Sequence, residues 1–356
     1  MVTTIGIDQG SLTYDIVGLE QKDRIRPVLE KSFTTRFVKE RPNIVLETVL
    51  SLTPAPDAVV LPSGFGTRLT KVEEISKDQL FEISLKKGQE PSSLARVIEA
   101  FRGKLPNVYV LPSVRLLPTV PRHRRLNRID MGTSDKVCTA ALAIYTQVAR
   151  RQIGLPETSL VLAELGSSFN AFVAVEAGRI VDGIGGTNSW LGMRARGSID
   201  GEVAALMSSF SKSDAYEGGA LFTTSLENGD ASPEELASYS ESGSIRAQLA
   251  SDAFIEGIIR DVGGLVSACK LKPKDIFISG RVSRVQYFRE RLHKALSAYA
   301  PVSELETFSS TAKEGAVGAA LVANGLVGGK FKDIVSVLRI REANGSILDD
   351  VYLGHP

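Results

Sequence analysis

Two stretches of this chain follow one local plan. "TTIGIDQGSLTYDIVGLE" (3–20) is an apolar run that ends at Asp8, turns through Gly10, Ser11 and Thr13, and continues as a second apolar run. "SLVLAELGSSFNAFVAVEAGRIVDGIGG" (159–186) is an apolar run that ends at Glu164 and turns through Gly166, Ser167 and Ser168. Two further apolar runs follow, joined by Ala177-Gly178. β-rich runs bounded by Gly and hydroxyl residues read as strand hairpins. Each hairpin is followed by short continuous apolar strands and amphipathic helices. In the first half these are strands over 57–61 and 107–114 and helices over 43–51, 90–103 and 134–152. In the second half they are a strand over 274–280 and helices over 201–208, 233–239, 245–270, 284–299 and 313–326. The order recurs although the residues do not, so this is a repeat of architecture. A third strand is expected over 26–38, and Ser134 is expected to cap the helix at 134–152.

With 356 residues the chain is long enough for two domains of ordinary size. The repeat therefore predicts an α/β protein of two domains with ligands held between them. The first is expected over 1–153 and the second over 154–330. Residues 331–356 are expected to form a C-terminal hairpin tail around Asn344-Gly345.

The bulk numbers exclude several alternatives. Hydrophobic residues are 43% and charged residues 23% of the chain, a folded composition, and the net charge of +1 gives no general pull toward nucleic acid or acidic membranes. Cys138 and Cys269 have no CxxC spacing, and His123, His293 and His355 are scattered, so no zinc site or disulfide framework is suggested. No apolar run reaches the length of a membrane span, and Asp8 interrupts the N-terminus before a signal-peptide core could form. A cytoplasmic protein with a small-molecule substrate is expected, with neither nucleic acid nor membrane as partner. A homodimer is left open.

Three turns carry the chemistry. Besides Gly10–Thr13 and Gly166–Ser168, Ser279-Gly280-Arg281-Val282-Ser283 ends a strand and enters a helix. Glycine lets backbone N–H groups approach phosphate oxygens, hydroxyls add donors, and a helix start adds favourable partial charge. A carboxylate at the end of a buried strand is costly unless it is paired or metal-bound, so Asp8 is the candidate Mg²⁺ ligand. Its plain alternative is a turn cap. Glu164 holds the equivalent place in the second half, with a strand-end salt bridge as its alternative. "PSGFG" (62–66) offers a backbone nest, so Ser63, Gly64 and the nearby Arg68 are candidate substrate contacts. Arg194 and Arg196, in a Gly-rich loop, have the planar fork that suits a carboxylate or a transferring phosphoryl group. Asp135 is either the first turn of a helix or the group that positions the phosphoryl acceptor and takes its proton. The basic run "VPRHRRLNR" (120–128) lacks interleaved aromatics and reads first as a solvated face, second as substrate charge neutralisation.

These motifs resemble the actin, Hsp70 and sugar kinase superfamily, and within it the acetate and butyrate kinases. The likeness covers most of residues 4–330. It rests on Asp8-Gln9-Gly10-Ser11, "MGTSDK" (131–136), "ELGSS" followed by "AGRIVDG" (177–183), "LGMRARGSIDG" (191–201), "FISGRVSRVQYFRERL" and "AKEGAVGAAL". The set is also similar to an archaeal family of predicted butyrate kinases. The resemblance implies two ribonuclease H-like (actin-like ATPase) domains around an interdomain nucleotide cleft, with ATP and Mg²⁺ as cofactors. It implies that Gly10–Thr13 and Gly166–Ser168 cradle phosphates, and that Gly280, Arg281, Glu314 and Gly315 flank the adenosine. It implies a kinase acting on a small, carboxylate-bearing metabolite, with Asp135, Glu164 and Arg194 or Arg196 as catalytic groups.

The chain also departs from those kinases. Their lysine soon after the first loop is Asp15 here. Their His-Leu-Gly is Glu164-Leu165-Gly166. The second His of their His-Gly-Thr-Ser-His motif is Asp135. The segment of their catalytic Asp reads "LPSVRLLPTVP" (111–121), without a carboxylate. An ATPase that couples nucleotide state to a protein partner, or a non-catalytic nucleotide or metabolite sensor, is therefore the alternative to a kinase.

Overall fold

The structure, a computed structural model, describes residues 1–86, 90–224, 232–309 and 311–354; His355 and the very end of the C-terminal segment lie outside the described residues. The elements run, in chain order, β1 (Val2–Gln9), β2 (Thr13–Gln21), β3 (Ile25–Thr34), α1 (Thr35–Glu40), α2 (Asn43–Leu50), β4 (Ala58–Val60), β5 (Gly66–Lys71), α3 (Lys77–Ser84), α4 (Ser93–Ala100), β6 (Val108–Pro112), α5 (Arg122–Arg125) and α6 (Ser134–Arg151). They continue with β7 (Ser159–Leu165), β8 (Asn170–Glu176), β9 (Arg179–Ile184), α7 (Gly201–Leu206), α8 (Pro233–Glu241), α9 (Ile245–Cys269), β10 (Asp275–Ser279), α10 (Gln286–Leu296), β11 (Val302–Glu304), α11 (Glu314–Leu326) and α12 (Lys332–Val337).

The chain divides into two compact units: residues 1–158, 175–182 and 306–356 form the first, and residues 159–174 and 183–305 the second. The first unit holds a sheet of order β3-β2-β1-β4-β6-β5, and the other sheet has the order β11-β10-β7-β8-β9. The order third, second, first, fourth strand thus occurs twice, as the repeat predicts. β1, β4 and β6 run parallel, while β2, β3 and β5 are antiparallel to their neighbours. β10 is parallel to both β7 and β11.

The pleat of β1 explains how the first sheet is covered. Successive side chains of a strand point to opposite faces. Ile5 and Ile7 enter a core with Ile16, Val59, Val97 and Phe101. Thr4, Gly6 and Asp8 take the other face, where α11 lies. Thr4 Oγ1 donates to the Ala320 carbonyl at 2.9 Å. A Cβ on Gly6 would stand 2.1 Å from both the Ala316 oxygen and the Ala320 nitrogen. On its other side α11 meets α6, where a Cβ on Gly318 would stand 2.1 Å from the Cys138 oxygen. These glycines let backbone approach backbone, and every residue of α11 is buried. This packing returns residues 306–356 to the first unit, whereas the sequence places them in the second domain and a tail.

Other local expectations are adjusted. The strand expected over 26–38 stops at Thr34, whose side chain accepts from Phe37 N–H and starts α1. Thr133, not Ser134, is the residue before α6. The Asn344-Gly345 turn forms with Gly345 at φ +80°, but no strands flank it. The chain before it is α12 and a short 3₁₀ turn, and after it Ser346 and Asp349 bond to each other locally.

Candidate functional site

In the first unit the candidate groups collect at the carboxyl ends of parallel strands, the edge where open α/β sheets bind ligands. Register sets the level: Gly6 pairs with Val60, and Val60 with Tyr109, so the ends of β1, β4 and β6 come out together. Asp8 is 5% exposed. It faces the start of α11, where a Cβ on Gly315 would lie 3.1 Å from Asp8 Oδ2. The partial positive charge of a helix start favours a carboxylate at that place. Glu314, the first residue of α11, is buried as well. Gly315, assigned by resemblance to the adenosine, thus stands against Asp8, with Glu314 its neighbour in the chain.

The Gly10–Thr13 turn is closed by Gly10 N–H donating to the Thr13 carbonyl at 2.8 Å and is tied to α1 by Thr35 Oγ1 donating to the Gly10 carbonyl at 3.0 Å. Ser11 is exposed at its tip. Above this turn lies a residue that the sequence did not single out. Lys313 Nζ is 3.3 Å from Asp15 Oδ2 and 3.5 Å from the Thr13 carbonyl, and a Cβ on Gly10 would fall 2.1 Å from that ammonium. Asp15, 4% exposed, also accepts from Thr13 Oγ1 at 2.8 Å, while Lys313 remains 36% exposed. The aspartate that replaces a lysine after the first loop thus holds a lysine delivered from the start of α11. Its one sequence signal is its place directly before Glu314-Gly315.

At the ends of β4 and β6 the "PSGFG" turn is locked in place. Ser63 Oγ lies 2.9 Å from Ser134 Oγ and accepts from Leu111 N–H at 3.0 Å, and Ser134 N–H donates to the Gly64 carbonyl at 2.8 Å. Gly64 sits at φ +49°, with Ile83 O 2.4 Å from where its Cβ would be. Ser63 is thus fully buried in a structural knot. Arg68 is exposed on the edge strand β5 and is not brought to it. Asp135 stands in the first turn of α6, in contact with Lys136 Nζ and accepting from Thr133 Oγ1 at 2.5 Å. Burial opposes its charge, but Lys136 and Thr133 outweigh burial and hold the carboxyl below the usual range. Asp135 is therefore an ion-paired carboxylate and a weak base near neutral pH.

The second unit repeats the arrangement. Ser279 pairs with Glu164, so β10 and β7 end at one level. Gly280, at φ +86°, lies against Leu165, whose oxygen would be 2.5 Å from a Cβ there. The Gly166 turn closes through Gly166 N–H to the Phe169 carbonyl at 2.9 Å. The Ser168 carbonyl accepts from Arg194 N–H at 3.2 Å and Ala195 N–H at 3.1 Å. Glu164, Gly166, Ser167, Ser168, Gly280 and the Arg194 backbone are thereby gathered. Arg196 is directed elsewhere: its Nε donates to the Asp214 and Glu217 carbonyls at 2.9 and 3.3 Å, pinning the segment after α7. Arg281 pairs bidentately with Glu234 of α8 at 2.9–3.0 Å.

The basic run is not simply a solvated face. Arg124 donates to the Val181 carbonyl at 2.6 Å and lies 3.6 Å from Asp182, and Arg125 donates to the Leu117 and Val120 carbonyls.

The family described as "Protein of unknown function (DUF1464)" matches residues 6–353. The chain belongs to the DUF1464 family. A comparison with curated protein sequences finds no match. Among solved structures the chain resembles Porphyromonas gingivalis acetate kinase, with a TM-score of 0.62 at 13% identity over 95% of this chain and 100% of that one. It also resembles a propionate kinase from Francisella tularensis subsp. tularensis, at 0.59 and 13% over 90% and 98%. A ROK family glucokinase from Streptomyces griseus, solved with glucose and AMPPNP, matches at 0.50 and 14% over 90% and 99%. This DUF1464 chain therefore has the two-domain actin-like ATPase fold.

Proposed function

We propose that the protein is an ATP-dependent phosphotransferase acting on a small metabolite, with a carboxylate as acceptor in the manner of a butyrate kinase. The observation that carries this reading is the matched pair of strand ends. A carboxylate followed by a Gly/hydroxyl turn occurs at Asp8–Thr13 and again at Glu164–Ser168, in a fold shared with acetate and propionate kinases.

The residues fit a magnesium nucleotide. Among the described residues no three or more His, Cys, Asp or Glu side chains gather as a metal site. Mg²⁺ asks for less, since it keeps waters and binds through one or two carboxylates plus phosphate oxygens. Asp8 would be that carboxylate. The missing Cβ at Gly10 lets the Lys313 ammonium sit against the turn, where it supplies the cation for an approaching anion. Bound Mg²⁺·ATP would bring the transferable phosphoryl group and neutralise part of its charge. Ser167 and Ser168, on the turn that Gly166 closes, are the candidate hydroxyl donors of the second phosphate turn. Gly280 and Arg281, at the neighbouring strand end, would border the nucleotide's adenosine.

Catalysis by such a set is positioning and charge stabilisation. Arg194, whose backbone N–H bonds the Ser168 carbonyl, and Arg196, whose Nε bonds the Asp214 and Glu217 carbonyls, are the candidate cations. A carboxylate acceptor is already ionised at neutral pH and needs no strong base. This agrees with the depressed pKa of Asp135 and leaves Asp135 a positioning role. Glu164 would orient the acceptor or a metal-bound water, while the buried Ser63 would act only by holding the PSGFG turn against α6.

The test is hydroxylamine trapping of acyl phosphate with ATP and a panel of acetate, propionate, butyrate and branched acids. Hydroxamate formation with at least one acid is expected. Phosphorylation of an alcohol or sugar with no acid active would move the acceptor assignment to the sugar-kinase side. Nucleotide hydrolysis without any acceptor would favour an ATPase coupled to a protein partner.

A further inference from the structure

The first unit contains a cavity of about 610 Å³ that none of the loops above lines. Its walls include Arg115, Arg122 and Arg125 on one side and Asn344, Asp349 and Asp350 on the other. The size is that of a small-molecule pocket.

Its charges are incompletely matched. Arg115 is 1% exposed, and its Nη1 donates to the Arg125 and Arg128 carbonyls at 2.5 and 2.6 Å. Its Nε and Nη2 are buried without a hydrogen-bond partner. A guanidinium carries five N–H donors and stays charged, and leaving buried donors unspent is costly. Burial first, and then the charge of Arg125, both oppose the protonation of Arg115. Arg125 spends Nε and Nη2 on the Val120 and Leu117 carbonyls. Neither Arg115 nor Arg125 has a carboxylate within ion-pair distance among the described residues. The two carboxylates in the wall are already engaged. Asp350 takes Arg122 bidentately at 2.6–3.0 Å, and Asp349 accepts from Ser346 N–H at 2.8 Å.

We propose that this cavity is a second anion site, which takes a small oxyanion carrying phosphate or several carboxylate groups. Arg125 and Arg122 would contact it, and Arg115 behind them would supply the field. The planar fork of arginine suits both chemistries. The Arg122–Asp350 pair forms the rim, where an incoming anion competes with Asp350 for Arg122. The site stands apart from the nucleotide reading, because its lining includes no residue of the Gly10, Gly166 or Gly280 turns.

The test is calorimetric titration of the full chain with inorganic phosphate, and separately with citrate, at constant ionic strength. Saturable binding of at least one is expected, and the stronger of the two identifies the oxyanion class. Arg125→Gln should weaken it at least tenfold. Arg122→Gln, at an exposed position with little bearing on folding, should weaken it severalfold. Asp350→Asn, which removes the competing carboxylate, should tighten it. Lys313→Met should leave it unchanged, which separates this site from the Gly10 turn. Absence of saturable binding of both anions overturns the proposal. So does binding that Arg122→Gln and Arg125→Gln leave intact while Lys313→Met removes it.

Discussion

Lys313 and Asp15 exchange the roles that sequence position alone would assign. Asp15 occupies the place of a loop lysine, yet it is buried and serves to hold the Lys313 ammonium above Gly10. A charge-assisted contact to phosphate contributes about 1.5–3 kcal/mol. Lys313→Met should therefore weaken Mg²⁺·ATP binding roughly 10- to 100-fold, with the folded fraction unchanged by circular dichroism. An unchanged affinity would return Lys313 to a purely structural ion pair. A second residue-scale prediction concerns Asp261. Its carboxylate accepts from Trp190 N–H at 2.9 Å and is pushed up to about 6 by burial. Its ordinary value is near 4. Between those pH values the folded state holds a proton that the unfolded chain has lost, so stability falls as pH rises through that window and is level above it. Asp261→Asn keeps an acceptor for Trp190 and removes the charge. Melting curves between pH 4 and 7.5 should lose this downward slope, and the variant should be more stable at pH 7.5 by up to about 2–3 kcal/mol. A slope that survives the substitution would contradict the assignment.

At the scale of elements, the glycines of β1 and α11 decide the architecture. Gly6 and Gly318 let one small-residue helix touch both a strand and α6 at backbone distance. Gly6→Val would force a branched side chain into space held by the α11 backbone, and overpacking of this kind costs about 1–3 kcal/mol or more. Urea titration should show that loss as a lower midpoint at constant slope. A neutral result would mean that α11 is not seated as described. The helix at 313–326 was legible in the sequence, but its partner was not. Periodicity shows that a face is buried and does not say against what. The same limit accounts for Lys313, since its contact with Thr13 spans 300 positions. Both hairpins, the strand ends at Asp8 and Glu164, and α6 were legible because period and turn chemistry are local. The C-terminal hairpin was misread because Asn-Gly signals a turn and leaves the conformation of its flanks open.

At the scale of the whole molecule, two sheets share one strand order, and each places a carboxylate and a Gly/hydroxyl turn at the carboxyl end of its first strand. This duplication is the observation on which the proposed reading as a nucleotide-dependent phosphotransferase rests. On the proposed reading, the departures at Asp15, Glu164 and Asp135 would bear on the acceptor more than on the nucleotide, because the turns keep their glycines and hydroxyls. The most direct measurement is calorimetric titration with AMPPNP, with and without Mg²⁺, on the wild type and Asp8→Ala. The account predicts saturable binding with a dissociation constant below about 1 mM, dependent on Mg²⁺ and weakened at least tenfold in Asp8→Ala. No binding at millimolar nucleotide in the presence of Mg²⁺, or binding indifferent to both the metal and Asp8, would contradict it.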